Sequence, residues 1–159
     1  MTMIKRPYSD LSELRILLAA RNSLFKHISQ QIYGGRTGIW GYGFLGRWLT
    51  DWLISETGKQ PLIFDSNFND ETMGSIYSIQ SPEKIDKSCD VILISARHNV
   101  KVISKIMNST KIPHMSADEF FLHKLITDYE RLFETFEDDK SRATLSAIFK
   151  SIIHNEVFC

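Results

Sequence analysis

The sequence predicts an α/β protein, a parallel sheet in the order 3-2-1-4-5 with an extra helix before it and a helical tail after it. Three observations carry this expectation. Thr37-Gly38-Ile39-Trp40, Leu62-Ile63-Phe64 and Val91-Ile92-Leu93-Ile94 are short apolar runs, of the kind that parallel sheets bury on both faces. Segments of helical period separate them, and consecutive parallel strands need such crossovers. The first run turns straight into a helix through Gly41, Gly43 and Gly46, spaced G-x-G-x-x-G.

The chain opens on an amphipathic helix. Asp10 and Glu13 have capping-box spacing, and Leu11, Leu14, Leu17, Leu18, Leu24, Phe25 and Ile28 form an apolar stripe ended by Gly34-Gly35, with Arg15, Arg21, Asn22 and Lys26 largely off it. The first strand is Thr37 to Trp40 and the helix after it runs from Phe44 to Glu56. There Phe44, Leu45, Trp48, Leu49, Trp52 and Leu53 recur with helical period, which predicts that this face meets the sheet and that Trp40, Trp48 and Trp52 are core. The second strand is Leu62 to Phe64. A polar stretch with a turn-like Asn67-Phe68-Asn69-Asp70 leads past Gly74 to a short edge strand, Ile76 to Ile79, and Pro82 sits at the first position of a short helix. Asp90 to Ser95 is the next strand, Val100 to Asn108 a helix, and Ile112 to Met115 a last strand whose Pro113 places it at an edge. Helices follow over Ala117 to Phe136 and from Asp138-Asp139 onward, the last with Leu145, Ile148, Phe149 and Ile152 on one face. The domains expected are 1–35, the amphipathic helix; 36–116, the sheet; and 117–159, the helical extension.

Composition narrows the function classes. The 159 residues are 43% hydrophobic and 24% charged, ordinary globular material, and the 19 basic and 19 acidic residues balance. That balance argues against a nucleic-acid or anionic-membrane surface, since both need a basic excess. The two cysteines, Cys89 and Cys159, have no metal-ligand spacing and read as reduced thiols, Cys89 buried beside a strand. His27, His114, His123 and His154 are scattered, so no metal is expected. Neither a signal peptide nor a membrane span is visible, and a cytoplasmic location is expected.

The candidate site is the turn after the first strand. The first glycine of such a turn allows the tight bend, the second lets backbone approach a pyrophosphate, and the third lets helix and sheet pack closely. The helix then aims unpaired N–H groups at an anion. Gly41, Tyr42, Gly43, Phe44, Leu45 and Gly46 are therefore the expected phosphate-binding residues. Asp65, with Ser66 beside it, ends the second strand 19 residues after Gly46, close to the spacing of an acid that binds ribose hydroxyls. The strand order reverses between the first strand and the Val91 strand, which brings Ser95, Arg97 and His98 to the same place, Arg97 as a phosphate clamp and His98 as a binding residue or proton carrier. Steric use of glycine and a capping role for Asp65 are the structural alternatives.

Ile39-Trp40-Gly41-Tyr42-Gly43-Phe44-Leu45-Gly46, Phe64-Asp65-Ser66-Asn67, Gly74, Ser81-Pro82-Glu83 and Val91-Ile92-Leu93-Ile94-Ser95 together resemble the Rossmann-like N-terminal domain of FkbM-type methyltransferases. That domain is related to the nucleotide-binding domains of sugar-nucleotide dehydratases and sugar acetyltransferases. Asp139-Lys140-Ser141-Arg142 resembles the linker that precedes the catalytic domain in FkbM-type proteins, and the likeness covers Gly35 to Asn155. It implies a nucleotide or nucleotide-sugar ligand, with NAD(H) or a nucleoside diphosphate sugar as the cofactor class. In those enzymes S-adenosylmethionine binds a second domain, for which this length leaves no room, so catalysis by the chain alone is not expected. The partners implied are a second copy of the chain or a methyltransferase domain. Three readings remain at this stage: a nucleotide-binding module, a subunit of an NAD-dependent oxidoreductase or dehydratase, and a scaffold that keeps the fold without the ligand.

Overall fold

The sheet owes its form to the sequence's short apolar runs and to the turns between them. The computed structural model describes residues 9–67, 77–85, 88–125 and 139–155, with the side chains of 9–14 and of several residues of the last helix excepted. Two compact units divide the chain. Lys26–Ala117 form one, and Met1–Phe25 with Asp118–Cys159 form the other.

The unit Lys26–Ala117 takes in the end of α1 (Ser9–Gly34), then β1 (Thr37–Trp40), α2 (Phe44–Thr57), β2 (Leu62–Phe64), β3 (Ile79–Gln80), β4 (Val91–Ile94), α3 (Val100–Asn108) and β5 (His114–Ser116). Among the described residues the strands form one five-stranded parallel sheet in the order β3-β2-β1-β4-β5, as the alternation of strands and helices predicts. Register then sorts the side chains. Ile39 of β1 lies beside Ile63 and Leu93, which continue to Ile79 and Met115 at the two edges, making one apolar row across the sheet. On the other face Trp40, Phe64, Ile92 and Ile94 pack with Val100, Ile103 and Met107 of α3 and with the buried Cys89. Gly38 makes room for this layer, because a Cβ there would lie 2.5 Å from Ile92 Cδ1. Right-handed crossovers put α2 on the face opposite α3.

The face that α2 buries keeps Leu49 and Leu53 of the expected stripe but is otherwise turned away from it. Gly46, Leu49, Thr50 and Leu53, at i, i+3, i+4 and i+7, are the buried positions, while Phe44 is 91% and Trp48 46% exposed. Trp40 is core, Trp52 is half-buried, and Trp48 is not a core residue. Small residues decide the matter: Gly46 lets the helix lie close on the β1 turn, and the Thr50 hydroxyl turns back to donate to Gly46 O at 2.7 Å. Hydrophobicity alone ranks Phe44 and Trp48 above both.

Other boundaries shift by one to three residues. The last strand is His114–Ser116 rather than Ile112 to Met115, with Pro113 lending its carbonyl to Ile92 N at 3.0 Å from the sheet's edge. The third strand is Ile79–Gln80, and Pro82 opens a short helix as expected, a single 3-10 turn over Pro82–Lys84. The Asn67-Phe68-Asn69-Asp70 turn, Gly74, Leu132, Phe133 and Cys159 fall wholly or partly outside the described residues, as do the side chains of Asp10 and Glu13.

The C-terminus of α1 has no basic residue in its last turn. Lys59 supplies the cation from the loop after α2, its ammonium donating to Tyr33 O at 3.0 Å and reaching Gly35 O at 3.5 Å. Cations there complement orphan carbonyls and the helix dipole. Lys59→Met should therefore cost about 0.5 kcal/mol, and a urea titration that returned the wild-type midpoint would refute the capping role. Beside it the Tyr33 hydroxyl donates to Glu56 Oε1 at 2.8 Å, tying α1 to α2. Partial burial, then that hydrogen bond and the charge of Glu56, hold the phenol above its ordinary pKa.

In the unit of Met1–Phe25 and Asp118–Cys159, Leu18 of α1, Leu122 of α4 (Ala117–Leu125) and Ile153 of α5 (Asp139–Ile153) form a small core, with Leu17, Phe149 and Ile152 packed on it. Asp139-Lys140-Ser141-Arg142 opens α5. Arg21, expected off the apolar face, is instead half-buried and forks onto the buried Glu119 carboxylate, its Nη2 donating to Oε2 at 2.9 Å. No described helix is long and apolar enough to cross a membrane.

Candidate functional site

Strand order determines where a site can form. β1 and β4 are neighbours whose crossovers leave in opposite directions, so a cleft opens beyond their carboxyl ends. A cavity of about 1050 Å³ lies there. The turn after β1 and the start of α2 form one wall, with Gly41, Tyr42, Gly43, Phe44 and Leu45 lining it. Asp65 and Ser66 line it from the end of β2, and Ser95, Arg97 and His98 from the end of β4. Topology thus assembles ten of the expected site residues around one space.

Each glycine of the turn has a distinct role. Gly41 sits at φ +116°, where side chains are strained, and a Cβ on it would also lie 2.8 Å from Ser95 Oγ and 2.9 Å from Ala96 N. Gly46 does not line the cavity: it is buried behind the turn, where a Cβ would come within 2.0 Å of Gly41 O. Gly43 differs from both. It precedes α2 in an extended conformation, φ −83° and ψ −158°, and nothing lies within 4 Å of where its Cβ would be.

No side chain caps α2. Arg47 N–H closes the first helical turn on Gly43 O at 3.0 Å, while the amides of Phe44, Leu45 and Gly46 precede any intrahelical acceptor. The positive end of the helix faces a cavity that Arg47 and Arg97 also line. Arg47 was not foreseen as a site residue; its guanidinium lies over the Tyr42 ring, 5.4 Å from the centroid, and its place one turn inside the helix start is the signal that finds it. Asp51, one turn further, lines the cavity too, as does Tyr77.

The turn is held by its neighbours. Gly41 N–H donates to Phe64 O at 2.7 Å, and Tyr42 N–H donates to Asp65 Oδ2 at 2.7 Å. Asn67 N–H donates to Asp65 Oδ1 at 2.8 Å, so both carboxylate oxygens already receive main-chain donors. The buried Ser95 hydroxyl donates to Gly41 O at 2.8 Å. It is therefore occupied as a structural donor and is not poised as a nucleophile. Arg97 and His98 are exposed on the 3-10 turn Arg97–Asn99 that leads into α3. Among the described residues no three histidines, cysteines or acids converge as a metal site would require.

Compared with known proteins, the chain matches no family model, no curated protein and no solved structure.

Proposed function

We propose that the chain is a nucleotide or nucleotide-sugar binding module whose ligand lays a diphosphate on the first turn of α2. One observation carries this reading: Gly43, beside an uncapped helix N-terminus, opens on a cavity of about 1050 Å³, with no atom where a side chain would stand. Backbone donors, a helix dipole and two arginines around one empty approach are the chemistry that holds a phosphate. The ligand class is NAD(H), a nucleoside diphosphate or a UDP-sugar. The resemblance to FkbM-type methyltransferases supports an accessory role beside a methyltransferase domain, with the chain binding rather than transforming its ligand in the cytoplasm.

Thermal melting tests it. A ligand at a hundred times its dissociation constant stabilises by about 2.7 kcal/mol, roughly 5–10 °C in a chain of this size. Gly43→Val should alter the unliganded stability by less than about 1 kcal/mol, since the position is open and its backbone extended, yet abolish that shift by filling the phosphate's approach. A panel of NAD(H), nucleoside diphosphates and UDP-sugars that leaves the wild-type melting unchanged would overturn the reading.

A further inference from the structure

Two of the hydrogen bonds that hold the turn meet on a single peptide unit. Gly41 contributes its carbonyl oxygen and Tyr42 its N–H, and these belong to the same Gly41–Tyr42 peptide. Ser95, from the end of β4, donates its hydroxyl to the oxygen at 2.8 Å, and Asp65, from the end of β2, accepts the N–H at 2.7 Å. The peptide is therefore gripped at both poles by strands on either side of β1. Its plane sets the direction in which the chain leaves β1, and hence where Gly43 and the first amides of α2 point.

We infer that Asp65 and Ser95 are positioning residues that preset the phosphate-binding turn, and that Asp65 acts on the ligand only through the Gly41–Tyr42 peptide rather than by binding a ribose. The inference rests on the reading of the cavity as a diphosphate site. Asp65 is well suited to the part: its second oxygen accepts Asn67 N–H at 2.8 Å, which keeps the carboxylate aimed at main chain. A carboxylate bonded to two amides restrains them more strongly than a neutral acceptor would. Preorganised donors then bind an anion without first being ordered.

A positioning role and a sugar-binding role differ in what they do to a ligand that has no sugar. Inorganic pyrophosphate is the probe, compared by titration calorimetry with the nucleoside diphosphate or UDP-sugar that gives the larger melting shift. Asp65→Asn keeps the shape but turns an NH2 group toward one of the two amides. It should weaken pyrophosphate and nucleotide by the same factor, ~10-fold, as loss of a hydrogen bond to a charged group does. Ser95→Ala should weaken both in parallel, by about 3-fold, as loss of a neutral hydrogen bond does. Faster hydrogen exchange at the Tyr42 amide in Asp65→Asn would show the clamp released.

Weakened nucleotide binding with pyrophosphate unchanged would place Asp65 on the sugar and overturn the inference while the diphosphate reading stands. A lower melting temperature with both dissociation constants unchanged would make Asp65 merely structural and also overturn it. Wild-type protein that binds neither probe would remove the diphosphate reading and the inference together. Should Asp65→Asn fail to melt cooperatively, Ser95→Ala alone carries the comparison: parallel losses support the clamp, and unchanged constants for both probes refute it.

Discussion

Replacing Gly46 by alanine is expected to destabilise the protein by about 3 kcal/mol, even though alanine is the better helix former by about 1 kcal/mol. Gly46 lies in the first turn of α2, where it packs on the turn after β1, and an added Cβ would sit 2.0 Å from Gly41 O and 2.9 Å from Gly41 C. Both are backbone atoms. Gly41 cannot retreat, because its N–H is bonded to Phe64 O and its carbonyl receives the Ser95 hydroxyl. The helix must therefore lift off the sheet, which loosens Leu49 and Leu53, both buried on the same face. The melting temperature should fall by roughly 6–12 °C. Gly43→Ala is the internal control, since nothing stands within 4 Å of its added methyl and its stability should stay within about 0.5 kcal/mol of wild type. Equal melting of the two variants would show that α2 is not seated on the turn through Gly46.

That contrast also marks how far the sequence could be read. Continuous apolar runs declared β1, β2 and β4, and the glycine spacing declared the turn into α2, because each signal depends on residues close together in the chain. The helix Val100–Asn108 came out with both ends as expected. The order of strands followed from crossover rules, and with it the meeting of the Gly41 turn with Ser95, Arg97 and His98. What escaped was rotational. The stripe containing Phe44 and Trp48 outscores Gly46 and Thr50 on apolarity, yet close approach of backbones favours the small residues, and no hydropathy pattern records that. Also hidden were bonds joining residues distant in sequence. Nothing local to Asp65 announces that one of its oxygens receives the Tyr42 amide, and nothing local to Ser95 announces Gly41, whereas the Asn67 amide on the other Asp65 oxygen is only two residues away and belongs to the turning role that the sequence offers for Asp65. The acid near the ribose spacing and the acid that clamps the turn look alike as letters.

The ion pair Arg21–Glu119 is the second place where distance in sequence concealed a partner, and Arg21→Met is expected to cost about 3 kcal/mol. Glu119 is wholly buried in α4, and removing the guanidinium strips a bidentate cation from its carboxylate. The figure lies at the low end for a broken buried pair because the Arg21 side chain is itself 35% exposed, so water can approach where it stood. Nearby, His123 stacks on Phe25 with centroids 5.0 Å apart, and its Nε2, 3.8 Å from Glu119 Oε1, has no hydrogen-bond partner among the described residues. Glu119→Leu introduced into Arg21→Met should restore most of the lost stability, since an apolar pair removes the desolvated charge together with the guanidinium that faces it. Chemical denaturation of the two single variants and the double variant measures this coupling. Additive losses would mean that the two side chains stabilise the unit independently, and the fork between them would then contribute nothing to holding Arg21 of α1 and Glu119 of α4 together.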